Sequence, residues 1–373
     1  MDTDIKVKYC KREVIRKFKS PILSVGDVVR AYMAVDRTGK FNPVNMMYEP
    51  IPVVGNFNET FEECCMDAAK NLWKLGKPIE LFWSGGIDSS GALIALLETK
   101  SNSDVLNIRY TQDSIDEFPL MWERLVKYRN DPLLHKEMLD ETVFSNHDII
   151  KVTGECGDQC FGSDALHANL DKHGDEWESF FLWKKNEMFF HDPDDKTMVE
   201  MSDDNFLKKK EQIFEILSEH VDTAPIEIDT IFDLFWWMNF CFKWQDVDIR
   251  MILTYTTTSH WQSTLSFFNT ENFQRWSIVN HDIKHGGTWE TYKQPAKEYI
   301  NKYIKDENYR KNKTKEPSLM KILVGEANEE YNYSYRYKKR INPQSIKLLL
   351  EDGRFWRNSD EIPEEILSMI QNK

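Results

Sequence analysis

The stretch IELFWSGGIDSSGALIALLE, residues 79–98, decides the fold. Its first five residues read as a short, continuously buried strand of the kind found inside a parallel sheet. Its last eight, GALIALLE, read as the start of an apolar helix. Between them lies SGGIDSS (84–90), a strand-to-helix turn of small residues. The glycine pair Gly85–Gly86 lets backbone N–H groups approach an anion with no Cβ in the way, and the helix N-terminus that follows presents its positive end. The hydroxyls of Ser84, Ser89 and Ser90 can donate to phosphate oxygens. Asp88 would repel a phosphate unless a divalent cation lay between, so its place in the string points to Mg²⁺. A tight turn capped by Asp and Ser is the plain alternative for two glycines. The whole string after a buried strand is much rarer than such a turn.

Upstream, Asn58 or Thr60 can cap a helix running through FEECCMDAAKNLWKL (61–75), which Gly76 and Pro78 stop. Downstream, DVLNIRY (104–110) reads as a second strand, 115–129 and 132–143 as helices, and DIIKV (148–152) as a third strand. This alternation predicts an α/β fold, a doubly wound parallel sheet. Residues 1–57 are mixed, with strand-like pieces such as SPILSV and PIPVVGNF. Beyond about 175 the texture becomes Trp- and Phe-rich and helical, as in NFLKKKEQIFEILSEH (205–220) and IFDLFWWMNFCFKW (231–244), with few strand signals. From about 305 the chain is charged and Tyr-rich, suiting a lid or a tail. The expected organisation is an α+β segment over 1–75, the nucleotide-type core over 76–175, a helical region over 176–305 and a charged helical tail or lid over 306–373.

Composition narrows the function classes. Gly (15) and Pro (13) make up about 7.5% of 373 residues, below a usual ~12%, which excludes a linker-rich or collagen-like chain. Hydrophobic residues at 41% are ample for a buried core. The net charge of −14 disfavours wrapping a nucleic-acid backbone, while a local basic pocket for a small anion remains compatible with it. The opening MDTDIKVKYCKREVIRKF has no apolar signal-peptide core, and 231–244, interrupted by Asp233 and Lys243, is too short to span a bilayer. Six cysteines without framework spacing read as reduced thiols, so a cytoplasmic protein with no membrane partner is expected. Cys156 and Cys160 read as buried thiols rather than zinc ligands, and the pair His281 and His285 as surface residues rather than a metal site.

A second motif, TGECGDQCFG (153–162), stands at the end of the third strand. An ordinary Gly-rich turn is its plain alternative, but two such strings at strand ends reinforce each other, because open α/β sheets bind ligands outside their carboxyl strand ends. The first string resembles the SGGxDS pyrophosphate loop of the N-type ATP pyrophosphatases. The second resembles the SGEGxDExFGG signature of the asparagine synthetase C-terminal (synthetase) domain. The resemblance implies an adenine nucleotide alpha hydrolase-like fold, ATP and Mg²⁺ as cofactors, and cleavage of ATP between its α- and β-phosphates. It further implies that Asp158 shares the metal with Asp88, that Glu155 contacts the substrate end of an acyl-adenylate, that Thr153 and Gly154 lie against the adenosine, and that the backbone near Ile108 borders the base. Two departures fall at Gln159, where the family has a second acidic residue, and Ser163, where it has glycine.

Looser similarity continues from Asp248 through SFFNTENF (266–273), a helical stretch in the family, with Thr264 at an arginine position. TYKQPAKEYI (291–300) is similar to a lysine-bearing helix whose cation neutralises the reacting phosphate. Lys293 and Lys297 are both candidates, spaced i, i+4, and Lys297, which precedes Tyr299–Ile300, is favoured; two solvated surface lysines are the plain alternative. A glutaminase domain does not fit, since residue 2 is Asp2 and only about 78 residues precede the first core strand. The expected activity is therefore that of an adenylate-forming ligase joining a small carboxylate to ammonia or an amine. Adenylation of a nucleotide or a base, and an inactive ATP-binding interaction protein, are the alternatives.

Overall fold

A capping box opens the first described helix. The Thr60 hydroxyl accepts from the Glu63 N–H, and the Glu63 carboxylate accepts from the Thr60 N–H at 2.7 Å. The computed structural model describes residues 36–40, 47–126, 133–134, 148–162, 220, 222–228, 231–245, 247, 263–286 and 290–313. Helix α1 (Phe61–Trp73) buries Phe61, Cys64, Cys65, Ala68, Ala69 and Leu72, the spacing of one helical face. Strand β1 (Ile79–Phe82) follows, then α2 (Ile87–Thr99), β2 (Leu106–Tyr110), α3 (Gln112–Glu117), α4 (Pro119–Val126) and β3 (Leu133–Leu134). Next come β4 (Ile150–Thr153), α5 (Gly157–Phe161), α6 (Ile231–Phe242), β5 (Thr264–Ser266), α7 (Glu271–Val279), a 3₁₀ turn (His281–Ile283), α8 (Gln294–Ile304) and α9 (Glu307–Asn312).

The five described strands form one sheet in the order β3-β2-β1-β4-β5, and every described pairing is parallel. The fold is thus α/β on a parallel sheet. Leu133–Leu134 is a strand where the pattern over 132–143 predicts helix, and the rest of that stretch lies outside the described residues. The helix expected over 115–129 is split at Phe118, because Pro119 cannot donate its backbone nitrogen and starts a new helix instead. Thr264–Ser266 adds an edge strand to a region expected to be helical. The segments SPILSV and 205–219, and the chain beyond 313, also lie outside the described residues.

The strand read as continuously buried holds a carboxylate. Glu80 is buried, and its charge is answered by Arg109 on β2, whose Nε lies 2.7 Å away. Lys151, opposite Glu80 on β4, is also buried and donates to the Ser263 hydroxyl at 3.2 Å. Burial lowers the Lys151 pKa, and the Glu80 charge partly offsets this.

The chain divides into two compact units, Pro52–Phe161 with Thr254–Glu326, and Met1–Ile51 with Gly162–Leu253 and Ala327–Lys373. The first carries the sheet. Its aromatic core gathers on Phe61, whose ring centroid is 5.2 Å from Phe161, 5.1 Å from Trp276 and 5.7 Å from Phe273. The end of α8 is held by Arg124 on α4, which donates to the carbonyls of Tyr303 and Ile304, a cation at the negative end of a helix.

In the second unit α6 packs Trp236, Trp237 and Phe240 in a buried aromatic row. Arg37 lies over Phe240 and Trp244 and donates to the backbone carbonyls of Glu49 and Phe240. Beside it the fully buried Asp36 contacts His220 Nε2 at 2.7 Å and accepts from the Thr38 hydroxyl at the same distance. Burial pushes the Asp36 pKa up, but the His220 hydrogen bond and charge outweigh this and hold it below its ordinary value. The resulting stability is present above the unfolded carboxylate pKa of ~3.9 and is lost as pH falls through the folded value. Asp36→Ala breaks this buried pair and is expected to remove about 3 kcal/mol. Urea unfolding followed by tryptophan fluorescence should show the lower midpoint at pH 7, with the gap to the native protein closing below about pH 4.

Candidate functional site

Strand order fixes where a site can lie. The chain moves outward from β1 through β2 to β3, then returns to the other side of β1 with β4 and β5. Order therefore reverses between β1 and β4, the place where open α/β sheets bind ligands. Both sequence motifs begin there, 84–90 directly after β1 and 153–162 at the end of β4.

The first turn needs its glycine. Gly85 has φ +79°, and a Cβ there would lie 2.4 Å from the Ser114 carbonyl oxygen and 2.7 Å from Glu117 Cβ. Gly86 is extended and caps α2. Ser84 and Ser89 join hydroxyls at 2.9 Å, and the Ser84 N–H donates to Ser89 Oγ at 3.1 Å; Ser84 is half-buried, whereas Ser89 is buried and braces the loop from inside. Ser90 does not join them. It is fully buried and accepts from the Trp83 indole at 3.0 Å, so it anchors the turn to the core rather than facing a ligand.

The second turn packs against the first. Gly157 lies so close to Asp88 that a Cβ would fall 2.5 Å from Asp88 Cγ. The left-handed position of this turn is Cys156, φ 65°, a buried non-glycine residue in backbone that glycine adopts without strain. Thr153, Gly154 and Glu155 are half-buried on the same turn, and the Glu155 N–H donates to Thr153 Oγ1 at 3.4 Å. Ile108 is half-buried on β2, in register with Leu81.

Asp88 and Asp158 converge on one cation, the ammonium of Lys293. Its Nζ lies 2.6 and 2.5 Å from the two Asp88 oxygens and 2.7 Å from Asp158 Oδ1. Lys293 is completely buried, whereas the Asp88 and Asp158 side chains keep 19% and 26% of their exposure and so can be reached from solvent. Burial works against the Lys293 charge, but Asp158 and Asp88 outweigh it and raise its pKa above the ordinary lysine value. Phe161 and Tyr292 place ring faces 5.7 and 5.9 Å from the ammonium.

Lys297, the favoured lysine in sequence, lies elsewhere. Its ammonium donates to the Glu290 carbonyl and, at 3.3 Å, to that of Lys313. The two lysines do not share a helical face, because α8 starts at Gln294 and Lys293 is its left-handed cap, φ 59°. Part of the signal was present: Pro295 belongs in a first turn, so the helix begins just before it and Lys293 falls outside the helical face that carries Lys297. Thr264 lies on β5 opposite Lys151. Among the described residues no group of three or more His, Cys, Asp or Glu side chains is placed to hold a metal ion. His281 accepts at Nδ1 from the buried Lys284 at 3.0 Å. The described cysteines are free and buried, and burial pushes the Cys64 thiol up to about 12 and Cys65, Cys160 and Cys241 well up, away from nucleophilic thiolates.

Sequence-family models, curated proteins and solved structures were all compared with this chain, and none matched.

Burial lowers the Lys297 pKa to about 8 from 10.5, with Glu290 and Glu298 opposing. The unfolded chain then holds one more proton between these values, so this group makes stability rise with pH across that window. Lys297→Met should flatten the rise, as read from thermal unfolding at pH 7.5, 9 and 10.5.

Proposed function

We propose that this chain is an ATP-dependent, AMP- and pyrophosphate-forming carbon–nitrogen ligase, similar to the synthetase half of asparagine synthetases. On this reading its sheet is doubly wound in the manner of adenine nucleotide alpha hydrolases, and it works in the cytoplasm. One observation carries the proposal: two turns at the carboxyl ends of adjacent strands, where strand order reverses, aim Asp88 and Asp158 at one buried cation.

The residues suit ATP. The Gly85–Gly86 turn opens α2, whose N-terminus presents N–H groups to phosphate, and the half-buried Ser84 hydroxyl adds a donor while Ser89 braces the turn. Asp88 and Asp158 are hard oxygen donors accessible from solvent, the chemistry that Mg²⁺ selects. A bound Mg²⁺ would neutralise charge on the leaving pyrophosphate. In this scheme Lys293 turns its charge to the phosphates, Thr153 and Gly154 border the adenosine, Ile108 the base, and Glu155 orients the carboxylate substrate. A substrate carboxylate oxygen bonds to the α-phosphorus as the bond to pyrophosphate breaks. The nitrogen of ammonia or an amine then attacks the acyl carbon, loses a proton, and AMP leaves. The chain supplies position and charge neutralisation.

Incubation with ATP, Mg²⁺, ammonium and a panel of small carboxylates is expected to yield AMP and pyrophosphate by chromatography; ADP and phosphate would contradict the reading. Asp88→Asn should lower this turnover by at least ~100-fold with an unchanged circular dichroism spectrum.

A further inference from the structure

The ammonium of Lys293 stands where an ion shared by Asp88 and Asp158 would bind. We propose that Lys293 is the resident cation of this carboxylate pair and excludes a divalent ion until an anionic nucleotide draws it away. The inference rests on the adenylation reading for the identity of that anion. It deepens that reading by setting an order: nucleotide first, and with it the ion.

Three features hold the lysine in place. Its nitrogen is within hydrogen-bond distance of three carboxylate oxygens at 2.5–2.7 Å. Its side chain has no exposed surface, and the rings of Phe161 and Tyr292 flank the ammonium. Its backbone is fixed as the left-handed cap of α8, with Pro295 in the next turn. A second cation between the same carboxylates would meet a like charge in a poorly solvated place, and Mg²⁺ sheds water reluctantly for only two ligands. A phosphate offers the ammonium another counter-ion and brings its own coordinated metal. Gly157 keeps Asp88 close against the second turn, so the carboxylates stay paired when the lysine moves.

Manganese(II) alone is the probe, with the free ion read by electron paramagnetic resonance. The native protein without nucleotide is expected to bind no Mn²⁺ at this pair, so Asp88→Asn changes nothing. Lys293→Met should create one site, at least about tenfold tighter than anything in the native protein, and Asp88→Asn in that background should abolish it. A native site that Asp88→Asn removes would overturn the proposal, as would a Lys293→Met protein with native circular dichroism that gains none. Should Lys293→Met fail to fold, the native and Asp88→Asn titrations still decide. Tryptophan fluorescence with a non-hydrolysable ATP analogue tests nucleotide binding separately, and its failure would sink the adenylation reading while leaving the metal titrations standing.

Discussion

One buried ammonium organises the sheet-bearing unit. Asp88 and Asp158 are carboxylates on two turns packed tightly enough that glycine is required between them, and without a cation they would repel. Lys293 supplies that cation from the start of α8, itself an unfavourable place for a positive charge because a helix begins with its positive end. The position is tolerable because the carboxylates outweigh the dipole. The same contact ties the first turns of α2 and α5 to the start of α8 and leaves the carboxylates partly open to solvent.

Much of this was legible in the sequence because it was local. The three strands at 79–83, 104–110 and 148–152 and the turns after them follow from apolar runs and small residues, and the structure keeps them within two residues. Thr60 proved to be the cap because Glu63 stands where a capping box needs it. The edge strands were not legible: Leu133–Leu134 and Thr264–Ser266 are too short for a period, and the latter is polar enough to pass for a loop. Lys293 was under-read because spacing alone put it on the Lys297 face. Ser90 was over-read, since its burial behind Trp83 depends on how the turn packs.

Glu80, Arg109 and Lys151 illustrate a different limit. Single charges in parallel strands look like exceptions to an apolar rule. Across three neighbouring strands they become a buried ionic group: Lys151 is the register partner of Glu80, and Arg109 reaches Glu80 diagonally, two residues beyond Asn107, the register partner of Glu80 on β2. Such a group is weak evidence for stability, because desolvation offsets most of the attraction. Its effect is on the β1–β4 register, since a shift of one residue would set Glu80 opposite Ile150 or Val152 in place of Lys151.

The triad also has a history within each molecule. Asp158 lies 135 residues before Lys293, and Asp88 lies 205 before it. A chain emerging from the ribosome can therefore complete both turns while their only described shared counter-ion is still unsynthesised. The triad is then incomplete, and its completion waits for a contact of very high sequence separation. The segment Gly162–Leu253, which belongs to the other unit, is made during that wait. Assembly of the site thus becomes a late event that reports on nearly the whole described chain, and a nascent or truncated product ending before residue 293 would carry both carboxylates without the lysine that pairs them.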